Sequence, residues 1–135
     1  MVLVDTSVWV RSFVRNSPMV AELDALLASN SVAGHDLVYG ELLIGDIGGR
    51  RRFLTDYDLM PRAPVILHDE VIALVRGRRL HGRGAGWVDV HLIASALAGH
   101  LQFWTADTVA AAIARELGIA YQPTGIKSRP YLVPK

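Results

Sequence analysis

Four acidic residues carry most of the chemistry this sequence offers: Asp5, Glu41, Asp89 and Asp107, separated by 36, 48 and 18 residues. Asp5 closes the apolar run Val2-Leu3-Val4, and Glu41 is followed by Leu42-Leu43. Asp89 stands between Val88 and Val90 at the head of an Ala-rich stretch, and Asp107 follows Leu101–Thr105. Carboxylates gathered in one cleft raise one another's pKa values unless a cation compensates them. An all-oxygen ligand set, in a chain without cysteine, favours Mg²⁺ or Mn²⁺ over zinc. One or two such ions could bind a phosphate, activate a water and stabilise the leaving oxygen of an in-line displacement. The chemistry that suits this quartet is therefore phosphodiester cleavage. The hydroxyls of Ser7 and Thr105, each two residues from an acid, are placed to orient metal-bound waters. Taken singly, each acid also has a structural use: Asp5 and Asp107 as caps, Glu41 as a surface charge, Asp89 as an acid serving the helix dipole. Their joint placement is what points to a site.

For these residues to meet, the elements between them must form a compact fold. Val2–Val4 is too short for a helix and apolar on both faces, which suits a central strand of a parallel sheet. Thr6-Ser7 offers N-cap chemistry for a helix carrying Val8, Trp9 and Phe13. A second helix follows Ser17-Pro18, with Val20, Leu23, Leu26 and Leu27 at helical spacing, and ends near Asn30. Ser31–Ala33 reads as a short strand, and Asp36 as the cap of a helix carrying Leu37, Val38, Glu41, Leu42 and Leu43. An Arg-rich helix to about Tyr57, another from His68 to about His81, and a buried one from Trp87 to Ala98 come next. Leu101–Thr105 reads as a strand, Val109–Leu117 as a helix closed by Gly118, and Ile119–Gln122 as an edge strand. Strands alternating with helices argue for an α/β sandwich around a mostly parallel sheet. Such sheets bind ligands beyond the carboxyl ends of their strands, at the topological switch point, and that rule selects the polar residues at strand ends.

A length of 135 residues fits one domain, and 51% hydrophobic against 20% charged residues excludes general disorder. The charge at position 5 interrupts the first apolar run before it could act as a signal peptide, and no stretch is long enough to span a bilayer. A soluble, cytoplasmic protein is expected. The net charge of +1 decides nothing about partners, but eight of the 14 basic residues lie between Arg50 and Arg83. That distribution permits a polyanion-binding face. High Arg and Ala content also arises from genomic base bias.

The same residues carry a family resemblance. Val2-Leu3-Val4 leading into Asp5-Thr6-Ser7-Val8-Trp9, then Glu41-Leu42-Leu43-x-Gly45, resembles the opening motifs of PIN-domain proteins. Asp89-Val90-His91-Leu92-Ile93-Ala94-Ser95-Ala96 is similar to the third acidic motif of that family. Trp104-Thr105-Ala106-Asp107, followed by an Ala-rich helix and Leu117-Gly118-Ile119, is similar to the fourth. The match runs from residue 2 to about 122. Within the family, the compact size and the Asp-Thr-Ser-x-Trp start look most like VapC toxins of bacterial toxin–antitoxin pairs. The resemblance implies a three-layer α/β/α sandwich with a central, mostly parallel twisted sheet of about five short strands. It divides the chain into a nuclease domain, residues 1–122, and a Pro-containing extension, residues 123–135. It also implies a Mg²⁺- or Mn²⁺-dependent endoribonuclease acting on tRNA, rRNA or mRNA, a homodimer, and a cognate VapB-like antitoxin whose C-terminal segment covers the active site. By matched position Asp5, Glu41, Asp89 and Asp107 are the catalytic, metal-binding acids, and Ser7 and Thr105 the supporting hydroxyls. The sequence departs from the pattern at Ala106, where relatives often carry a basic residue, which puts an RNA contact there in doubt.

Other features are less specific. Arg76, Arg78, Arg79 and Arg83 lie at a helix end and in a Gly-rich loop, a placement that suits RNA phosphates and equally suits the helix dipole. His35, His68, His81, His91 and His100 are expected to cap helices or lie on the surface. Trp9, Phe13 and Trp87 are expected in the core or at a dimer contact. Gly82-x-Gly84-x-Gly86 lacks nucleotide-loop spacing. Lys127, Arg129, Tyr131 and Lys135 in the extension are further candidates for contact with RNA or a partner, against the ordinary looseness of a chain end. Two rival functions stand beside the nuclease. A phosphatase with an aspartyl nucleophile usually has a second Asp two residues on, where this chain has Ser7. A catalytically weak PIN module would bind RNA or protein without turnover.

Overall fold

The computed structural model describes residues 1–46 and 48–124. Val2–Val4 forms strand β1, buried at all three positions. Successive side chains of a strand point to opposite faces, so a strand buried throughout is covered on both sides. Two more short strands complete the sheet, β2 (Val32–Ala33) and β3 (Gln102–Trp104). The order is β2-β1-β3. Both pairings are parallel, with Val2 and Leu3 opposite Val32 and Ala33, and Val2, Leu3 and Val4 opposite Gln102, Phe103 and Trp104. The chain leaves β1 for one neighbour and returns to its other side, so the switch point lies at the carboxyl end of β1, beside Asp5.

Helices α1 (Thr6–Ser12) and α2 (Val20–Ala28) connect β1 to β2. Between β2 and β3 lie α3 (Asp36–Ile44), α4 (Arg51–Tyr57), α5 (His68–Gly77) and α6 (Trp87–Gly99), and α7 (Thr108–Glu116) follows β3. Helix α6 is buried at Val90 and from Leu92 to Ala96, which explains why its sequence shows no amphipathic period. Leu3, Leu92, Ile93, Phe103 and Ile113 are at most 1% exposed and form the centre of the core, each contributing about 1.5–3 kcal/mol of burial. A second knot is aromatic: Trp9 packs on Phe53 and Tyr57 with centroids 5.3 and 5.8 Å apart.

The α/β architecture and the parallel sheet agree with the sequence, but the sheet has three strands among the described residues where about five were expected. Ile119–Gln122 makes a single bridge, Ala120 opposite Phe103. Gly118 turns the chain with a positive φ of 76° just before it, and Pro123, lacking an N–H, follows. Gly34 and Arg62 form another lone bridge. Helix α5 ends at Gly77, short of the expected His81. Arg79 adopts a left-handed φ of 55°, and the Leu80 N–H closes on the Val75 carbonyl at 2.9 Å.

Two caps also differ. Asp5, not Thr6 or Ser7, takes the N-cap position of α1, and its side chain makes no cap bond there. His35, not Asp36, caps α3. Trp9 is buried as expected, whereas Trp87 is 44% exposed and outside the core. Phe13 is half-buried under the guanidinium of Arg50, 4.1 Å from its ring centre. No helix among the described residues is long and apolar enough to cross a membrane. Lys127, Arg129, Tyr131 and Lys135 lie outside the described residues.

Candidate active site

The ends of two neighbouring strands begin the site. The Asp5 N–H donates to the Trp104 carbonyl at 2.8 Å, which locks the exits of β1 and β3 together and sets Asp5 beside Thr105. Asp5 is 3% exposed, a position a carboxylate occupies only with compensation. Here two hydroxyls supply it: Ser7 Oγ donates to Asp5 Oδ2 at 2.7 Å, and Thr105 Oγ1 donates to the same oxygen at 2.8 Å. The other oxygen, Oδ1, has no hydrogen-bond partner among the described residues. Ser7 Oγ in turn accepts the Ala106 N–H at 3.0 Å, and Thr105 Oγ1 accepts the Asp107 N–H at 3.1 Å. Each hydroxyl thus joins the first acid to the backbone of the loop carrying the last one.

Asp107 is exposed and caps α7, its Oδ2 accepting the Ala110 N–H at 2.8 Å. Glu41 is the sixth residue of α3 and is exposed. Its Oε1 accepts the Thr6 hydroxyl at 2.5 Å, which ties α3 to α1. Thr6 was legible only as cap chemistry; its part in orienting Glu41 depends on a contact 35 residues away in sequence. Asp89 lies half-buried in the first turn of α6.

All four acids share one electrostatic field. The Asp89 carboxyl is pushed up to about 7, first by burial and then by the charges of Asp5, Asp107 and Glu41. Mutual repulsion of this kind creates a site whose charge a cation would relieve. As the side chains stand, the described residues include no group of three acids or histidines close enough to hold an ion. The donor chemistry nevertheless fits a hard divalent cation: carboxylate oxygens of which Asp5 Oδ1 is unengaged, with hydroxyls bracing the buried acid.

The remaining candidates are dispersed. Arg83 is engaged in a two-pronged pair with Glu116, at 2.8 and 2.6 Å. Arg76, Arg78 and Arg79 are exposed and form no ion pair among the described residues. His35 is fully buried, His81 and His100 are exposed, and His68 and His91 pack against Trp87 with ring centroids 5.5 and 4.7 Å away.

Comparison with known proteins bears on this geometry. The family model described as PIN domain matches residues 2–116. Ribonuclease VapC32 of Mycobacterium tuberculosis, in strains CDC 1551 / Oshkosh and H37Rv, is 40% identical over 121 residues, which cover 89% of this chain and 95% of that protein. The crystal structure of FitAcB from Neisseria gonorrhoeae aligns with a TM-score of 0.64 over 92% of this chain and 99% of that one. At 22% identity this last likeness speaks to the fold alone.

Proposed function

The chain belongs to the PIN domain family and is of the VapC type, and on that premise we propose that it is a divalent-metal-dependent endoribonuclease, the toxin of a toxin–antitoxin pair. The observation that carries the proposal is the convergence of charge on Asp89, whose carboxyl is raised by burial and then by Asp5, Asp107 and Glu41. Asp5, Asp89, Asp107 and Glu41 are the residues that would hold Mg²⁺ or Mn²⁺. When bound, the ion would polarise the scissile phosphate and supply a nucleophilic water.

The chain's own groups do the positioning. Ser7 and Thr105 fix the rotamer of Asp5 by bonding one oxygen, which leaves the other free of hydrogen bonds among the described residues. Thr6 orients Glu41. Asp107, locked into the cap of α7, presents its charge from a rigid helix end. Asp5 serves as a ligand and not as a covalent nucleophile, because the second Asp that such a nucleophile uses two residues on is replaced here by Ser7, which leaves no acid at that place for the leaving group.

The substrate is RNA, whether tRNA, rRNA or mRNA, and Arg76, Arg78 and Arg79 are candidate phosphate contacts on the same chain. Residues 1–122 form the nuclease domain, with 123–135 as an extension of which residues 125–135 lie outside the described structure. The protein acts in the cytoplasm as a homodimer, held inactive by a VapB-like antitoxin whose C-terminal segment covers the acids.

Purified protein free of antitoxin should cleave RNA when Mg²⁺ or Mn²⁺ is present and stop when EDTA is added. RNA binding with no cleavage under any divalent ion would replace this reading with that of a binding module. A small neighbouring reading frame encoding a protein with a DNA-binding N-terminus would support the antitoxin. Its absence would count against the toxin role and leave the nuclease standing.

A further inference from the structure

His35 occupies a position where serine, aspartate or asparagine is the usual choice, the N-cap of α3. It performs the same service with its ring: Nδ1 accepts the Leu37 N–H at 3.0 Å. A nitrogen that accepts carries no proton, so in the neutral ring the proton sits on Nε2. That nitrogen lies 2.9 Å from Ser95 Oγ, in the middle of α6, and donates to it. The His35 backbone N–H donates to the Tyr57 hydroxyl at 2.9 Å, at the end of α4. His35, Ser95 and Tyr57 are each fully buried. Desolvation by burial holds the imidazole pKa below its ordinary value, an effect that outweighs the opposing charge of Asp36.

A cap alone does not need an imidazole. Only a side chain with two polar atoms on opposite edges can cap α3 and reach α6 at once. The two helices it joins are those that carry Glu41 and Asp89. Glu41 lies six residues beyond His35 on α3, and Asp89 six residues before Ser95 on α6. Each separation is about 9 Å of helix. The hydrogen bond is thus a direct, buried link between the two helices that carry these acids.

We propose that the buried His35–Ser95 hydrogen bond is a positioning device that holds the Glu41 helix in register with the Asp89 helix, and so sets the geometry of the metal-binding acids. The inference rests on the nuclease reading above but concerns residues outside its acidic quartet. Neither His35 nor Ser95 touches substrate or metal.

The test is a double-mutant cycle on the full chain. His35→Asn keeps an acceptor for the Leu37 N–H and gives up the reach to Ser95; Ser95→Ala removes the other half of the bond and leaves the cap intact. Each variant is titrated with Mn²⁺ by calorimetry and assayed for RNA cleavage, well below its own melting temperature. The expected result is Mn²⁺ affinity weaker by about 10-fold and kcat lower by about 10–100-fold, the range for groups that orient metal ligands. KM for RNA should stay within about twofold, and the double mutant should be no worse than the single ones, because both remove one interaction.

Variants that lose only melting temperature, while Mn²⁺ affinity and kcat match the wild type, would overturn the proposal and leave the nuclease reading intact. Additive losses would also overturn it, since the two residues would then act separately. A wild-type protein that neither binds Mn²⁺ nor cleaves RNA would sink the metal site itself, and the positioning role with it.

Discussion

Asp89 is where the energetics of the site are concentrated. A carboxyl raised to about 7, against an ordinary aspartate value near 3.9, opposes folding wherever it must ionise. The protein without metal therefore gains stability from Asp89 being protonated at low pH. That contribution is lost as pH rises through about 7. Asp89→Asn should raise the melting temperature of the metal-free protein at pH 8, with the gain shrinking as pH falls from about 7 and gone well below about 4, where both states are protonated; a pH series of thermal melts checks it. The same substitution should abolish cleavage. Adding Mg²⁺ should narrow the stability gap at pH 8, because the ion compensates the charge that the variant lacks. Around Asp5 the expectation concerns orientation. Ser7→Ala and Thr105→Val each remove one donor to Asp5 Oδ2 and should lower cleavage by about 10–100-fold. Ser7→Ala should also cost about 1–3 kcal/mol in urea unfolding, since the Ala106 N–H loses its acceptor.

Two helix ends join stability to function. Asp107 both caps α7 and contributes to the charge around Asp89, and substitution separates the roles. Asp107→Asn retains an acceptor for the Ala110 N–H and should lose activity with little change in stability, whereas Asp107→Ala should lose activity and about 1 kcal/mol as well. At α3, the His35 ring is neutral when folded and its pKa lies below the ordinary value. Its contribution is full above about pH 6.5 and is lost as pH falls below that, because the unfolded chain then binds the proton more readily. This slope is opposite in sign to that of Asp89, and it should vanish in His35→Asn melts. The elements themselves were largely legible in the sequence. Val2–Val4 announced a central strand by having no polar face, and Leu23, Leu26 and Leu27 announced α2 by spacing. The caps were legible in part: Asp107 was read as a cap and caps α7, but the caps of α1 and α3 were not foreseen as they stand. Asp5 has the right chemistry for a cap and is drawn off by Thr105, 100 residues away, while His35 lacks the usual chemistry and caps because burial supplies Ser95 on its other side. The strand count was overestimated for a related reason: a segment such as Ile119–Gln122 has strand composition, but pairing needs a neighbour, and its turn and proline leave room for a single bridge.

At the scale of the whole molecule, the sheet order decides the site. With β1 in the centre, Asp5 opens at the switch point, and the elements returning to either side bring Glu41, Asp89 and Asp107 toward it. The rule for parallel sheets was enough to select Asp5 and Asp107, which end or follow strands. Glu41 and Asp89 sit on helices, and each was weak taken singly; their joint placement with the other two acids at the carboxyl side of the sheet selected them, and the family likeness then matched the same four positions. The Arg-rich middle was less informative than its composition suggested. Arg62 pairs with Asp36 at 3.2 Å, Arg83 with Glu116, and Arg50 lies on Phe13, so three of those eight basic residues are engaged within the fold. The central claim is that the four acids work together as the metal site of a ribonuclease. It is tested most directly by one assay: cleavage of the same RNA, in Mg²⁺, by wild type and by Asp5→Asn with matched circular dichroism spectra. The account expects wild-type cleavage that EDTA abolishes and a loss of at least about 100-fold in the variant. Equal cleavage by a folded Asp5→Asn protein would contradict it.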